Sequence, residues 1–374
     1  MAFLVTGATG IVGCELVSAL LTDPDGTPVY ALVRGTPAVA AAKEAWLRRW
    51  VGEPPDGRLT IVVGDCELEG LGLSDQVRRH IEQHVTGILH AAANTDFEQA
   101  PEKAFAANVV GTRNALTLAQ RLRHIKRFGF VSTAYVAGTR SGVILEDSVP
   151  AVGFDNEYEC SKAAAESEVL ASGLPAAAYR LGIIVGRATD GVVSRMGGAI
   201  YQLMRLVHHG LIAIYPAAEG QTMDILPVDF AAQAVSHLFR RPEAINPIYH
   251  VCAGRSAAVT TTEFFAALAE ALAQADPGRT TQGFPEPAGA PAAAFRAFRK
   301  TVELVGHPRL RAVVRQLDRF ARPVEVPKQF DTQAFERDLA GSGCSLPAFR
   351  AYFPRVVAHA VRNDFRVTRR VWDA

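Results

Sequence analysis

Through the first 185 residues, short apolar runs alternate with longer amphipathic stretches. Phe3–Val5, Val29–Val33, Leu59–Val63, Gly87–His90, Arg127–Val131 and Ala176–Val185 have strand length. Valine, isoleucine or leucine dominates most of them, the pattern of strands buried on both faces. Between them lie helical candidates such as Gly10–Leu21, Ala104–Arg123 and Glu157–Ser172. Strand and helix alternating in this way predicts an α/β fold, a doubly wound parallel sheet with helices on both faces. After Gly186 the rhythm breaks. Ser194–His209 and Val228–Arg240 read as helices, and the run from Ile248 reads as one more strand. Gly283–Ala294 is rich in Pro, Gly and Ala and reads as a linker or surface loop. The last eighty residues look helical and basic, so a smaller, mainly helical C-terminal region is expected. There is no internal repeat.

Composition changes this picture little. A chain of 374 residues, about half of them hydrophobic, can bury one large core or two coupled ones. The net charge is +1, but it is unevenly spread: from Glu286 onward 16 Lys+Arg face 9 Asp+Glu, a net of +7. The remainder carries 23 against 29, or −6. An anionic partner for the C-terminal part and a merely solvated basic face both fit this asymmetry. Five cysteines are scattered with no C-x-x-C pair, which suggests neither a disulfide framework nor a cysteine zinc site. No basic stretch precedes the short apolar run at the N-terminus, and no uncharged apolar stretch reaches the ~20 residues a spanning helix needs. These features predict a reduced, cytoplasmic setting and no metal.

The chemistry begins at V-T-G-A-T-G-I-V-G, Val5 to Gly13, which follows the first strand and opens a helix. Gly7 suits a tight turn, Gly10 a close backbone approach to a pyrophosphate, and Gly13 close helix–sheet packing. The helix N-terminus then offers free amides to phosphates. Such a loop predicts a dinucleotide site. The second strand ends in Arg34 where a carboxylate would suit the ribose hydroxyls of NAD; an arginine suits a 2′-phosphate instead. Lys43 could add a second charge, and Asp65 is placed to cap the adenine amino group.

Tyr158 and Lys162 stand four apart in Y-E-C-S-K, followed by A-A-A-E. On a helix both leave the same face. A phenol beside an ammonium is expected to ionise more readily, which would make it a usable acid or base. An ordinary exposed helix pair is the alternative for this spacing alone. The strand ending F-V-S-T-A sets Ser132 and Thr133 at its carboxyl end, where a hydroxyl and a phenol can together hold a carbonyl oxygen taking up negative charge. Asn108, on the helix after the fourth strand, is a candidate for a water-mediated proton relay.

In this order, T-G-A-T-G-I-V-G, H-A-A-A, N-V-V-G-T, V-S-T-A and Y-E-C-S-K resemble an extended short-chain dehydrogenase/reductase over roughly residues 1–255. Within it, A-L-V-R-G, G-L-G-L-S-D, L-H-A-A-A-N-T-D-F, V-S-T-A-Y-V and D-I-L-P-V-D-F are similar to the branch of fatty acyl-CoA reductases and thioester reductase domains (male sterility-like). K-Q-F-D-T-Q-A-F resembles the extra C-terminal region of stand-alone acyl reductases. The resemblance implies a Rossmann-type domain over 1–186 and 225–255, and a substrate-binding, helical region over 187–224 and 256–374. It implies Thr133, Tyr158 and Lys162 as the catalytic set, with Thr133 chosen over Ser132 because the family's catalytic hydroxyl precedes the small residue, here Ala134. It implies NADPH at Gly7, Thr9, Gly10, Ile11, Val12, Arg34, Asp65, Cys66, Ala91, Ala93, Asn108, Tyr158 and Lys162. R-L-G at Arg180–Gly182 departs from the R-P-G of many relatives. The implied reaction is NADPH-dependent reduction of an acyl thioester, on coenzyme A or a carrier protein, to an aldehyde and on to an alcohol. Rival expectations are another oxidoreductase or epimerase of the extended family, such as a hydroxysteroid or flavonoid-type alcohol dehydrogenase or a nucleotide-sugar epimerase, and a non-catalytic NADPH-binding regulator.

Overall fold

The computed structural model describes residues 2–366 apart from 23, 53–56, 98, 149–152, 213, 218–220, 242–246, 279–285, 307–310, 312, 313 and 315–325. Its centre is a seven-stranded sheet of β1 (Phe3–Thr6), β2 (Val29–Val33), β3 (Leu59–Val63), β4 (Gly87–His90), β5 (Arg127–Thr133), β6 (Ala176–Leu181) and β7 (Ile248–Val251). The strand order is β7-β6-β5-β4-β1-β2-β3, and every pairing is parallel. Helices on both faces bury the strands, which is why β1 and β4 are apolar runs with no exposed side. The order reverses between β1 and β4, and folds of this kind bind ligands in the crevice outside that switch point. The doubly wound Rossmann-type sheet expected from the chain is therefore present.

The expected strand Ala176–Val185 is two strands. Gly182 interrupts it: a Cβ there would lie 2.6 Å from the Asp224 carbonyl oxygen. Beyond the glycine, Ile183–Val185 leaves the main sheet and pairs with Ile225–Pro227. The helix expected from Ser194 starts only at Ala199, after Gly197 and Gly198. Part of the expected linker Gly283–Ala294 lies outside the described residues. The remainder is ordered structure, because Ala288–Ala290 pairs with Ile214–Pro216 and the alanine run from Ala292 opens a helix to Val305.

One hydrophobic cluster joins the sheet to the helix Ile11–Leu21 and the helix Val228–Arg240, and Ala334, Phe335 and Leu339 from the C-terminal part pack into it. A second cluster is built by the helices Ala199–His208, Thr261–Ala275 and Phe349–Arg362, with Val185 and Ile225 at its edge. No described helix is long and apolar enough to cross a membrane.

Candidate active site

The glycine loop is shaped by steric necessity. Gly7 has φ +65°, and a Cβ there would meet the backbone of Ala91 and Ala92 at 2.6 Å. A Cβ on Gly13 would lie 2.0 Å from the Gly7 carbonyl oxygen. The loop is thus pressed between the end of β4 and its own helix, and only glycine fits either place. Gly10 is exposed at the N-cap of the helix Ile11–Leu21, which has no side-chain cap and no acidic residue in its first turn. Uncapped first-turn amides beside an exposed glycine, including those of Ile11 and Val12, are a donor set suited to a dinucleotide pyrophosphate. The loop also touches the segment after β4: the Ala91 amide donates to the Thr6 carbonyl (3.3 Å), and the Ala92 amide to Thr6 Oγ1 (3.2 Å). Ala93 follows in the same segment, and Thr9 lies at the loop's centre.

Thr133 ends β5 and is buried. Its Oγ1 accepts the Tyr135 amide (3.3 Å), so the strand terminates in a turn that fixes the hydroxyl. Tyr158 enters from the helix Glu157–Leu170, whose start is held by Asn156: its Oδ1 accepts the Glu159 amide (2.9 Å). The Thr133 hydroxyl lies beside the Tyr158 phenol and favours its ionised form. The Phe97 ring sits 5.7 Å from the tyrosine ring. Burial pushes the Tyr158 phenol up to about 12, and the Thr133 hydroxyl opposes it. The expected depression of the phenol by Lys162 is not what the structure has. The lysine is 2 % exposed; its Nζ donates to the Val131 carbonyl (2.7 Å) and lies 3.8 Å from the centre of the Phe130 ring. Burial draws Lys162 itself down to about 7, opposed by the charge of Glu166. The ammonium is spent on the β5 backbone and an aromatic face, and desolvation outweighs its effect on the phenol.

Asn108 lies in a π-helical turn, Ala106–Val110, within an otherwise α-helical stretch from Pro101 to Arg121. The wide turn aims its amide inward. Oδ1 accepts the Asn94 amide (2.7 Å), while Nδ2 donates to the Asn94 carbonyl (3.0 Å) and to Ser161 Oγ (2.9 Å). Asn108 therefore clamps the segment after β4 to the helix that carries Tyr158 and Lys162.

Arg34, Asp65 and Glu67 form a separate group beyond β2 and β3. Arg34 is 66 % exposed, with Nη1 3.0 Å from Glu67 Oε1 and 3.9 Å from Asp65 Oδ2. Asp65 Oδ1 accepts the Glu67 amide (3.0 Å), and Lys43 Nζ donates to the Arg34 carbonyl (2.5 Å). Neighbouring Cys66 is buried, and burial pushes its thiol up to about 12.

Sequence reasoning missed the polar network behind the site. Buried Glu166 accepts from Ser132 Oγ (2.5 Å) and from Arg180 (Nη2 2.6 Å, Nε 3.0 Å). Arg180, 1 % exposed, also donates through Nη1 to His250 Nε2 (3.2 Å). One signal was available. Glu166 ends A-A-A-E, four residues beyond Lys162, and so extends the face that carries Tyr158. Ser132 thus faces the ion pair, and Thr133 faces the tyrosine.

A family described as "Male sterility protein" (NAD_binding_4) matches residues 5–235, more than half of the chain. Fatty acyl-CoA reductase wat of Drosophila melanogaster is 27% identical over 62% of this chain and 52% of its own length. Isonitrile lipopeptide synthase of Streptomyces coeruleorubidus is 31% identical over 66% of this chain, which is only 17% of that protein. The chain thus spans about half, or far less, of the length of these relatives. Among solved structures, the terminal R domain of the myxalamid PKS-NRPS biosynthetic pathway superposes with a TM-score of 0.77 at 25% identity, over 98% of this chain and 91% of that one. With its parallel sheet, its glycine loop and this match, the chain belongs to the male sterility, thioester reductase-like branch of the extended short-chain dehydrogenase/reductases, a family of NAD(P)-binding oxidoreductases.

Proposed function

We propose that this protein reduces an acyl thioester with NADPH. The reading rests on one observation above all: a buried threonine hydroxyl lies beside a phenol at the carboxyl end of the sheet, on the helix that Asn108 clamps to the segment packed on the glycine loop. The names of the relatives, an acyl-CoA reductase and the terminal domain of a peptide-synthetase assembly, supply the substrate class.

Gly7, Thr9, Gly10, Ile11, Val12, Ala91 and Ala93 would line the pyrophosphate side of the cofactor site, with Asp65 and Cys66 toward the adenine. Arg34 would take the 2′-phosphate, exchanging Glu67 for it. That exchange is cheap, because an exposed ion pair is worth about 0–1 kcal/mol. When bound there, NADPH would supply a hydride for the thioester carbonyl carbon. Thr133 and Tyr158 hold the carbonyl oxygen as it becomes negative. Tyr158 then gives it a proton. A phenol held near 12 is fully protonated at neutral pH, the state a proton donor needs. Lys162 fixes the nicotinamide ribose, and Asn108 keeps its helix in register. Breaking the C–S bond of the hemithioacetal, with its hydroxyl proton passing to sulfur, releases a thiol and an aldehyde; going on to the alcohol takes the hydride of a second NADPH and one more proton. The sheet with 225–255 forms the NADP domain, and 187–224 with 256–374 holds the acyl group. The carrier is coenzyme A or an acyl carrier protein, and the setting is cytoplasmic.

The test is NADPH consumption against a panel of acyl-CoAs and carrier-bound thioesters, with product analysis. Aldehyde or alcohol formed in step with NADPH loss supports the reading. No thioester-dependent consumption, together with NAD⁺ retained through purification, would move the protein to the epimerases.

A further inference from the structure

Tyr158, Lys162 and Glu166 follow one another at four-residue intervals on the helix Glu157–Leu170, so they form one inward face. The first two have a place in the reaction proposed above. The third is a fully buried carboxylate about one helical turn beyond the lysine. Burying that charge is costly unless it is paired and hydrogen-bonded, and Glu166 is both. On β6, Arg180 meets it with Nη2 at 2.6 Å and Nε at 3.0 Å. On β5, Ser132 donates to it at 2.5 Å. Ser132 directly precedes Thr133, so the carboxylate grips the end of the strand that carries the site's hydroxyl. On β7, His250 accepts from Arg180 Nη1 through Nε2 (3.2 Å) and donates from Nδ1 to the Asp331 carbonyl (2.8 Å). Burial and the Arg180 charge draw His250 down to about 3, so it stays neutral and this bond pattern holds at any ordinary pH.

Lys162 has few other electrostatic partners. Among the described residues no carboxylate lies within ion-pair distance of it. It faces the Val131 carbonyl and the Phe130 ring on β5, Tyr158 on its own helix, and across on β4 His90, which burial and the lysine's own charge draw down to about 3. The charge of Glu166 opposes the lysine's desolvation.

We propose that Glu166 is a positioning residue for the reduction: anchored by Arg180 and His250, it keeps Lys162 cationic and holds the Ser132–Thr133 strand end against Tyr158. The inference rests on the reductase reading for the role of Lys162, but its main test does not need turnover. NADPH affinity is measured by nucleotide fluorescence from pH 5 to 10, alongside kcat/KM where a thioester is reduced. If a cationic Lys162 supports binding, affinity falls as the lysine loses its proton. Glu166→Gln removes the opposing charge, so the lysine loses its proton at lower pH and this alkaline limb should move down by about one pH unit. Glu166→Asp, which keeps the charge, should restore most of it. A purely structural glutamate would change affinity or melting temperature without moving the limb, and an unmoved limb in folded Glu166→Gln overturns the inference.

If Glu166→Gln does not fold, because it leaves Arg180 buried and unpaired, the double variant Glu166→Met/Arg180→Met takes its place. It removes both charges at similar volume, a replacement that buried ion pairs often tolerate. Loss of the Arg180 cation opposes the loss of Glu166 at the lysine, so the limb must move down by less than one pH unit; an unmoved limb again overturns the inference. Absence of thioester turnover with a displaced NADPH limb would strike the proposed substrate and leave Glu166 in its role.

Discussion

Two of the hydrophobic clusters were assembled by different rules. The sheet cluster is made of parallel strands four to seven residues long, each continuous in sequence. The second cluster has helices drawn from residues 199–208, 261–275 and 349–362, with strands of only two or three residues beside them. A parallel strand buried on both faces must be an unbroken apolar run, and the chain announces it locally. A two-residue strand has no period to read, and a helix face gives no address for its partner. The region that carries the proposed chemistry is therefore the locally encoded one. The region of the second cluster depends on long-range packing.

The same contrast explains what was legible at the site. Val29–Val33, Leu59–Val63 and Gly87–His90 were readable to the residue, and so was the glycine loop, because its constraints are steric and local. Thr133 against Tyr158 could be expected from order along the chain. The charge state of Lys162 could not. It depends on the Val131 carbonyl, the Phe130 ring and the depth of burial, none of which is a spacing. Arg180 and His250 look like ordinary strand residues until the sheet sets β6 beside β7. The departure visible in R-L-G is at Leu181, whereas what requires Gly182 itself, the close approach of the Asp224 backbone, lies over forty residues away.

The comparison breaks most sharply at Tyr158. Removing only the hydroxyl keeps the ring against Phe97 and the packing of the helix. Tyr158→Phe should fold and bind NADPH as the parent does, yet lose about 10²–10⁴-fold in kcat. Near-normal kcat with hydride transfer still limiting would take the chemistry away from this residue.

The second cluster should respond in the opposite way. Phe264 is fully buried there, 5.3 Å from the Phe265 ring and 5.4 Å from Phe353. Phe264→Ala should cost about 3–5 kcal/mol of stability through the cavity it leaves. If the clusters are separable, the folded variant keeps its NADPH affinity and loses on the acyl side. An equal fall in NADPH affinity would mean that the two halves act as one body.

Arg34 tests the outer edge of the sheet region. Arg34→Ala should weaken NADPH by about 1.5–3 kcal/mol, or roughly ten- to a hundredfold, and leave NADH nearly unchanged. Glu67→Gln should tighten NADPH slightly by freeing the arginine. Loss of both cofactors alike in Arg34→Ala would show that the arginine does not read the 2′-phosphate.

The smallest effect concerns the charge that distinguishes the C-terminal part. Its net +7 from Glu286 onward invites an anionic carrier, the phosphates of coenzyme A or the acidic face of a carrier protein. The structure trims that expectation slightly, because Arg350 is paired outside the segment, meeting Glu270 at 2.8 Å. Arg296 and Lys300 stand exposed on the helix Ala292–Val305. What remains acts mainly on encounter and is screened over about 8–10 Å at physiological salt. The expected result is a fall of a few-fold in kcat/KM for a carrier-bound thioester between low and physiological ionic strength. A short uncharged thioester should show almost none. The difference between the two curves isolates the carrier, because NADPH binding is common to both. Parallel curves would make the basic region a solvated face and leave carrier recognition to the walls of the acyl site.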